Sequence, residues 1–333
     1  FMNGARVVTS YDYDAPLTEA GNLTDKYFET RALYDRLVAS GRHPKISLPD
    51  SPPEVADAVG YGNISVGEWL PLERLLKECP SVSGLPKPVP MEMLPLGPGY
   101  GQSYGFVLYR VEAKAVSSYQ ITGPIADRAL FLVDGNQTAV IPDRSANFSI
   151  TIDPESFGTS SPNSIHQYDV LVENQGRANW AVDLSKQRKG IDSEIRLDGA
   201  VWSNVTAYSM DFNRTFMWRL SRSLVYDNDW IPFHRGLNFS GPALYRAVLT
   251  IPNRREKFSS SFADTYLLLP GWTKGVVFLN GFNLGRYWGP VGPQQTLYVP
   301  GPLLKAGPNT VDVFELHRPG STLAFIDGPI LEK

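Results

Sequence analysis

Short runs of β-branched and aromatic residues, parted by Gly, Pro and Asn/Asp turns, fill this chain after about residue 98, and their order repeats. Tyr104–Val111, Ala129–Val133, Phe148–Ile152 and Tyr168–Val172 read as strands, as do Tyr245–Ile251, Val276–Leu279, Thr296–Val299 and Thr310–Phe314. Tyr109-Arg110 is echoed by Tyr245-Arg246, and Phe131-Leu132-Val133-Asp134-Gly135 by Val277-Phe278-Leu279-Asn280-Gly281. Each Asp-Gly or Asn-Gly marks a tight hairpin. Val170-Leu171-Val172-Glu173 then finds its echo in Val313-Phe314-Glu315. Marks recurring in one order imply a duplicated module. No amphipathic helix competes in this region, so the pattern predicts a mostly β fold of two tandem jelly-roll sandwiches. Their expected spans are 98–204 and 234–333, with an interdomain loop over 205–233.

The first 42 residues follow another grammar. Arg6 to Tyr13 reads as a strand, and Thr24 is placed to cap a helix from Asp25 to Ala39 that ends at Gly41. Tyr27, Phe28, Tyr34, Leu37 and Val38 form its apolar stripe. One strand and one helix make the unit of a (β/α)8 barrel, and a single unit must dock on something to bury its faces. Residues 43–97 carry Pro44, Pro49, Pro52, Pro53, Pro80, Pro86, Pro88 and Pro90, which predicts a linker running along a surface.

Composition removes several function classes. A net charge of −3 leaves no electrostatic footprint for nucleic acid. No apolar run approaches the roughly 20 residues of a membrane-spanning helix. His43, His166, His234 and His317 show no metal-ligand spacing, and no phosphate-cradling loop or nucleophile elbow occurs, so neither metal nor cofactor is expected. Cys79, the single cysteine, lacks a basic neighbour and reads as a buried, inert thiol. Seven Asn-x-Ser/Thr triplets begin at Asn22, Asn63, Asn136, Asn147, Asn204, Asn213 and Asn238. Ordinary Ser and Thr usage would supply about two, so the excess points to the secretory pathway.

Asp12 and Asp14 stand two apart on the first strand and so share a face. They suit either a sugar site or a role in tying the turn at Ala15-Pro16. Tyr13 offers a phenol at a strand's C-terminal end, with core packing as its alternative. Trp272, Arg286, Tyr287 and Trp288 suit either a carbohydrate-stacking platform or packing glue between domains, the latter favoured by the turn glycines around them.

The string Ser10-Tyr11-Asp12-Tyr13-Asp14-Ala15-Pro16 resembles the last barrel strand of the family 35 glycoside hydrolases, the β-galactosidases of animal lysosomal type. The likeness runs on through Leu17, Glu19, Ala20, Gly21, Lys26, Tyr27 and Phe28. Val172-Glu173-Asn174-Gln175-Gly176-Arg177-Ala178-Asn179-Trp180 is similar to the family too, though position 180 is often a smaller aromatic followed by Gly, whereas Ala181 follows here. So are Gly271-Trp272-Thr273-Lys274-Gly275, Asn280–Trp288 and Gly292–Pro300.

This resemblance implies a C-terminal part of a retaining exo-β-galactosidase acting on terminal β-linked galactose of oligosaccharides and glycoconjugates. Both catalytic glutamates then lie upstream, in the chain's own barrel, and no catalytic residue is assigned here. Tyr13 takes the place of the tyrosine that reaches the galactose, and Trp180 is a weaker substrate contact on a loop that Arg177 anchors. A lysosomal or secreted location follows, and a homo-oligomer through the β domains is compatible with it. The rivals are a non-catalytic carbohydrate-binding or adhesion module and an inactive paralogue that keeps the scaffold; a lectin gives no reason for the first 42 residues.

Overall fold

A computed structural model describes residues 15–41, 50, 55–98, 101–143, 145–153, 164–177, 184–223, 230–234, 239–252 and 262–331. In chain order its elements are α1 (Asp25–Ala39), β1 (Gly62–Pro71), α2 (Leu72–Leu76), β2 (Ser81–Leu85), β3 (Phe106–Lys114), β4 (Ser118–Ile121), β5 (Ile125–Ala126) and β6 (Arg128–Val133). Then come β7 (Asn136–Ile141), β8 (Phe148–Thr151), β9 (Ile165–Glu173), β10 (Gly190–Ile191), β11 (Ile195–Leu197), β12 (Ala200–Trp202), β13 (Val205–Met210), α3 (Arg214–Ser223) and β14 (Ile231–Pro232). The last seven are β15 (Ala243–Ile251), β16 (Thr265–Leu268), β17 (Lys274–Leu279), β18 (Phe282–Trp288), β19 (Thr296–Val299), β20 (Gly307–Glu315) and β21 (Thr322–Ile326). The fold is mostly β.

The chain divides into two units, one of residues 1–7, 68–244 and 315–318, the other of 8–67, 245–314 and 319–333. The first is a sandwich. Its six-stranded sheet runs β2-β13-β3-β9-β6-β7, and a four-stranded sheet runs β12-β11-β4-β8. Alternate residues of the large sheet (Val107, Tyr109 and Val111 on β3, Ala129, Phe131 and Val133 on β6) meet Tyr119, Ile121, Ile195 and Leu197 of the small one. That period of two is what strand pleating demands of the face turned to the small sheet; the alternate residues Leu108, Leu130 and Leu132 are buried on the other face.

In the second unit the order is β18-β17-β20-β15-β1-β21-β16-β19, and the two end strands lie beside each other, so the sheet wraps round its own core. Gly275 on β17 permits a close approach to its neighbour β20: a Cβ there would stand 2.0 Å from the Phe314 carbonyl oxygen.

The repeat seen in the sequence is a repeat of structure. The order β7-β6-β9-β3 of the first sheet matches β18-β17-β20-β15 of the second. Both hairpin turns use two successive positive φ angles, 49° and 78° at Asp134-Gly135, 49° and 79° at Asn280-Gly281. Each turn is tied alike to the following strand. Asp134 N–H donates to the Gln167 carbonyl at 2.9 Å and its Oδ1 accepts Gln167 N–H at 2.8 Å. Asn280 makes the same pair with Thr310, at 2.8 and 3.1 Å. Arg110 meets Asp169 across β3 and β9, as Arg246 meets Asp312. This register corrects one echo: with Asp169 matched to Asp312, Glu173 falls opposite Leu316 rather than Glu315.

Three expectations for the connecting segments differ from the structure. The stretch 43–97, expected to be a linker, contributes β1, α2 and β2. β1 sits in the second sheet where β13 sits in the first, although the whole first sandwich separates it in sequence from β15. Its apolar residues are few at the start, where Gly62, Asn63 and Ser65 are exposed, which hid it among prolines. Residues 205–233, expected as a loop, hold β13, α3 and β14, so a helix does occur among the β elements. Asn213 starts that helix, its Oδ1 accepting Phe216 N–H at 2.8 Å, and Phe216, Met217 and Leu220 bury its apolar stripe. Helix α1 spans the expected residues and buries none of them, but the Thr24 hydroxyl donates to the Pro16 carbonyl at 2.8 Å instead of capping it.

Candidate functional site

The most developed polar constellation in the first unit stands where β9 ends. Asn174 fixes the exit from the strand: its N–H donates to the Gly105 carbonyl at 3.0 Å, Nδ2 donates to the Ser103 carbonyl at 3.0 Å, and Oδ1 accepts Gly176 N–H at 2.9 Å. Gln175 N–H then donates to Asp127 Oδ2 at 2.8 Å. Asp127 also accepts two bonds from Lys189 Nζ, at 2.6 and 2.7 Å, and both side chains are buried. Arg177 donates to Glu92 Oε1 at 3.0 Å and to the Gln187 carbonyl at 2.8 Å. Glu92 Oε2 accepts Lys189 N–H at 3.0 Å, and Met91 N–H donates to the Lys189 carbonyl at 2.7 Å.

Two carboxylates, Glu92 and Asp127, therefore grip both flanks of residues 178–183: Gln175 and Arg177 on one side, Lys189 on the other. A buried charge persists only when it is matched, and here each carboxylate oxygen faces a cationic or amide donor. Such an arrangement holds backbone in place; it offers no unpaired nucleophile or base. The expectation that Arg177 anchors its loop through carboxylate and carbonyl bonds matches these contacts.

Trp180 lies outside the described residues, as do Tyr13, Asp12, Asp14 and the sequon at Asn238. Five other sequon asparagines, Asn22, Asn63, Asn136, Asn147 and Asn204, are exposed. Asn213 is different. Its Nδ2 donates to Asp211 Oδ2 while its Oδ1 caps α3, so both ends of the amide are engaged.

Of the aromatic motif of the second unit, Trp272 and Tyr287 belong to the core, whereas Arg286 and Trp288 are half-buried. Trp272 and Tyr287 are buried, Trp272 Nε1 donates to the Thr322 carbonyl at 2.9 Å, and the Trp272 ring meets Tyr245 and Tyr287 edge-on at 5.4 and 6.5 Å. Lys274, fully buried, sets its ammonium 4.7 Å from the Trp288 ring centroid. Cys79 donates to the Leu75 carbonyl at 3.4 Å and burial pushes its thiol up, which fits an inert role. Among the described residues no cluster of His, Cys, Asp and Glu could hold a metal ion. No helix there is long and apolar enough to cross a membrane.

Sequence reasoning found Arg177 but missed its partners. Nothing in the strings around Asp127 and Lys189 marks two charged side chains for burial together, or Glu92 to meet them, because their proximity is made by topology.

Three family models match the chain in succession: "Glycosyl hydrolases family 35" over residues 1–37, "Beta-galactosidase, first all-beta domain" over 90–211, and "Beta-galactosidase, galactose-binding domain" over 242–309. The chain belongs to glycosyl hydrolases family 35. Within family 35 it is similar to mouse "Beta-galactosidase-1-like protein 3", 35% identical over 340 residues that cover 100% of this chain and 47% of that protein. Human "Beta-galactosidase-1-like protein 2" is 36% identical over 341 residues, 99% of this chain and 48% of that protein. Human "Beta-galactosidase" is 33% identical over 344 residues, 97% and 47%. The chain thus spans about half the length of the family 35 relatives it matches. The clamp residues Glu92, Asp127, Arg177 and Lys189 all fall inside the matched first all-beta domain.

Proposed function

We propose that these residues are the β-domain portion of a retaining exo-β-galactosidase that removes terminal β-linked galactose from oligosaccharides or glycoconjugates. The observation that carries the reading is the colinear succession of the three family models, beginning with the hydrolase family itself over residues 1–37. In this reading two barrel glutamates outside the 333 residues perform the chemistry. One attacks the anomeric carbon as the other protonates the departing oxygen; the second then activates water to release galactose with retention. Tyr13 contacts the bound galactose or the attacking carboxylate, and Trp180, on the segment whose flanks Glu92 and Asp127 grip, lies at the mouth of the site. The chain alone turns over no galactoside. The exposed sequons support passage through the secretory pathway.

The test uses the polypeptide that includes the barrel, with a chromogenic β-galactoside. Tyr13→Phe removes one hydrogen bond to a charged or transition-state partner, about 1.5–3 kcal/mol, so kcat/KM falls by roughly 10- to 150-fold with little change in stability. Unchanged turnover in Tyr13→Phe removes that assignment; no turnover at all in the intact protein turns the reading to an inactive scaffold.

A further inference from the structure

We propose that His317 is a proton-sensitive latch within the first unit, closed while its imidazole is neutral and released when it is protonated. The assignment follows from which atoms face it. Arg128 Nη2 stands 3.1 Å from His317 Nε2, and Gln137 Oε1 stands 2.7 Å from Nδ1. A guanidinium only donates, so Nε2 must present a lone pair; Nδ1 therefore carries the proton and gives it to the amide oxygen. One neutral tautomer satisfies both contacts.

These contacts fasten a particular piece of chain. Residues 315–318 belong to the first unit, although 245–314 before them and 319–333 after them belong to the second. Backbone bonds complete the seat: His317 N–H donates to Glu315 Oε1 at 2.8 Å, and the His317 carbonyl accepts Gly241 N–H at 2.7 Å. The side chain adds a tie from this short passage to β6 through Arg128 and to β7 through Gln137.

A proton arriving at Nε2 takes the lone pair that Arg128 uses and sets two cations at contact distance. Other charges stand near the latch. Glu315, whose Oε1 accepts the His317 N–H, favours a charged ring through space. Burial pushes the Arg128 guanidinium below its ordinary value, and Glu173, opposite it in the β6–β9 register, and Asp143 pull it back up. Acid therefore converts a mutually satisfied trio into one with a donor facing a donor.

Hydrogen exchange read by mass spectrometry, on the full chain at pH 7.5 and 5.0 with the intrinsic pH effect divided out, tests this. Peptides covering 134–140 and 315–318 should lose roughly tenfold protection in acid, the equilibrium weight of one charge-assisted hydrogen bond. His317→Gln keeps an acceptor for Arg128 and a donor for Gln137, and should hold its protection at both pH values. His317→Lys should be open at both. A long-range proton–nitrogen spectrum at pH 7.5 should show Nδ1 protonated. Equal wild-type protection at the two pH values, a pH response that survives in His317→Gln, or an Nε2–H tautomer each overturns the proposal.

Discussion

Removing Arg110 is the perturbation whose cost the structure defines best. Arg110 reaches Asp169 with Nε at 2.8 Å and Nη2 at 2.7 Å, and continues to Glu73 through Nη1 at 3.1 Å. Asp169 is 0% exposed and Arg110 6%, whereas Glu73 is 46% exposed. Arg110→Met leaves Glu73 in water and Asp169 stranded, and an uncompensated buried charge costs about 3–5 kcal/mol. The pH dependence carries the diagnosis. Full burial already raises Asp169 to about 6 from 3.8, against the pull of Arg110. For a raised carboxyl the folded state binds the extra proton, so its contribution to stability falls as pH climbs through that window and levels off once the folded group ionises, above about 6. Without Arg110 the group stays protonated in the fold well beyond that point while the unfolded chain is ionised. The variant should then lose about 1.4 kcal/mol per pH unit relative to wild type between pH 6 and 8. Urea unfolding of the full chain at pH 6, 7 and 8, following the transition of the first unit, measures both quantities. Arg110→Met/Asp169→Val removes both charges and should recover most of the loss. A deficit below about 1 kcal/mol at pH 7, or one independent of pH, would falsify the view that this pair is sealed from solvent.

Two further outcomes follow from single side chains. Produced in a eukaryotic secretory host, the intact protein should carry glycans at several of the five exposed sequons but not at Asn213, as glycopeptide mass spectrometry will show; Asn213→Ala should cost about 1 kcal/mol through the lost cap of α3 and leave the glycan pattern unchanged. Lys189→Met should destabilise the first unit by about 3–5 kcal/mol by leaving Asp127 buried without its cation, and proteolysis should then cut near residues 178–183 faster than in wild type; wild-type cleavage rates in that variant would detach the Lys189–Asp127 pair from the holding of that segment.

What could be read from the chain, and what could not, divides along a physical line. The hairpins announced themselves because an Asp-Gly or Asn-Gly turn is local chemistry: two adjacent residues with positive φ, flanked by alternation of period two. The duplication was legible for the same reason, since each copy repeats its local marks in order. One mark misled: the matching glutamates Glu173 and Glu315 are one step out of register, and the Asp134–Gln167 and Asn280–Thr310 bonds together with the Arg110–Asp169 and Arg246–Asp312 pairs reveal the true correspondence. Strand β1 was invisible because its stability comes from neighbours more than 170 residues away, β15 and β21, and its own first residues are polar. The helix α3 did leave a signal, an Asn213 cap ahead of Phe216, Met217 and Leu220, yet the same asparagine also spells a sequon, and the one motif masked the other. The buried charges left none. Lys189, Asp127, Lys274 and Asp169 look like surface residues until the topology brings an opposite charge or an aromatic face beside each. The clamp on the two flanks of residues 178–183 belongs to that class: Arg177 could be expected to anchor something, but that Glu92, 85 residues earlier, receives it is a property of the assembled sandwich.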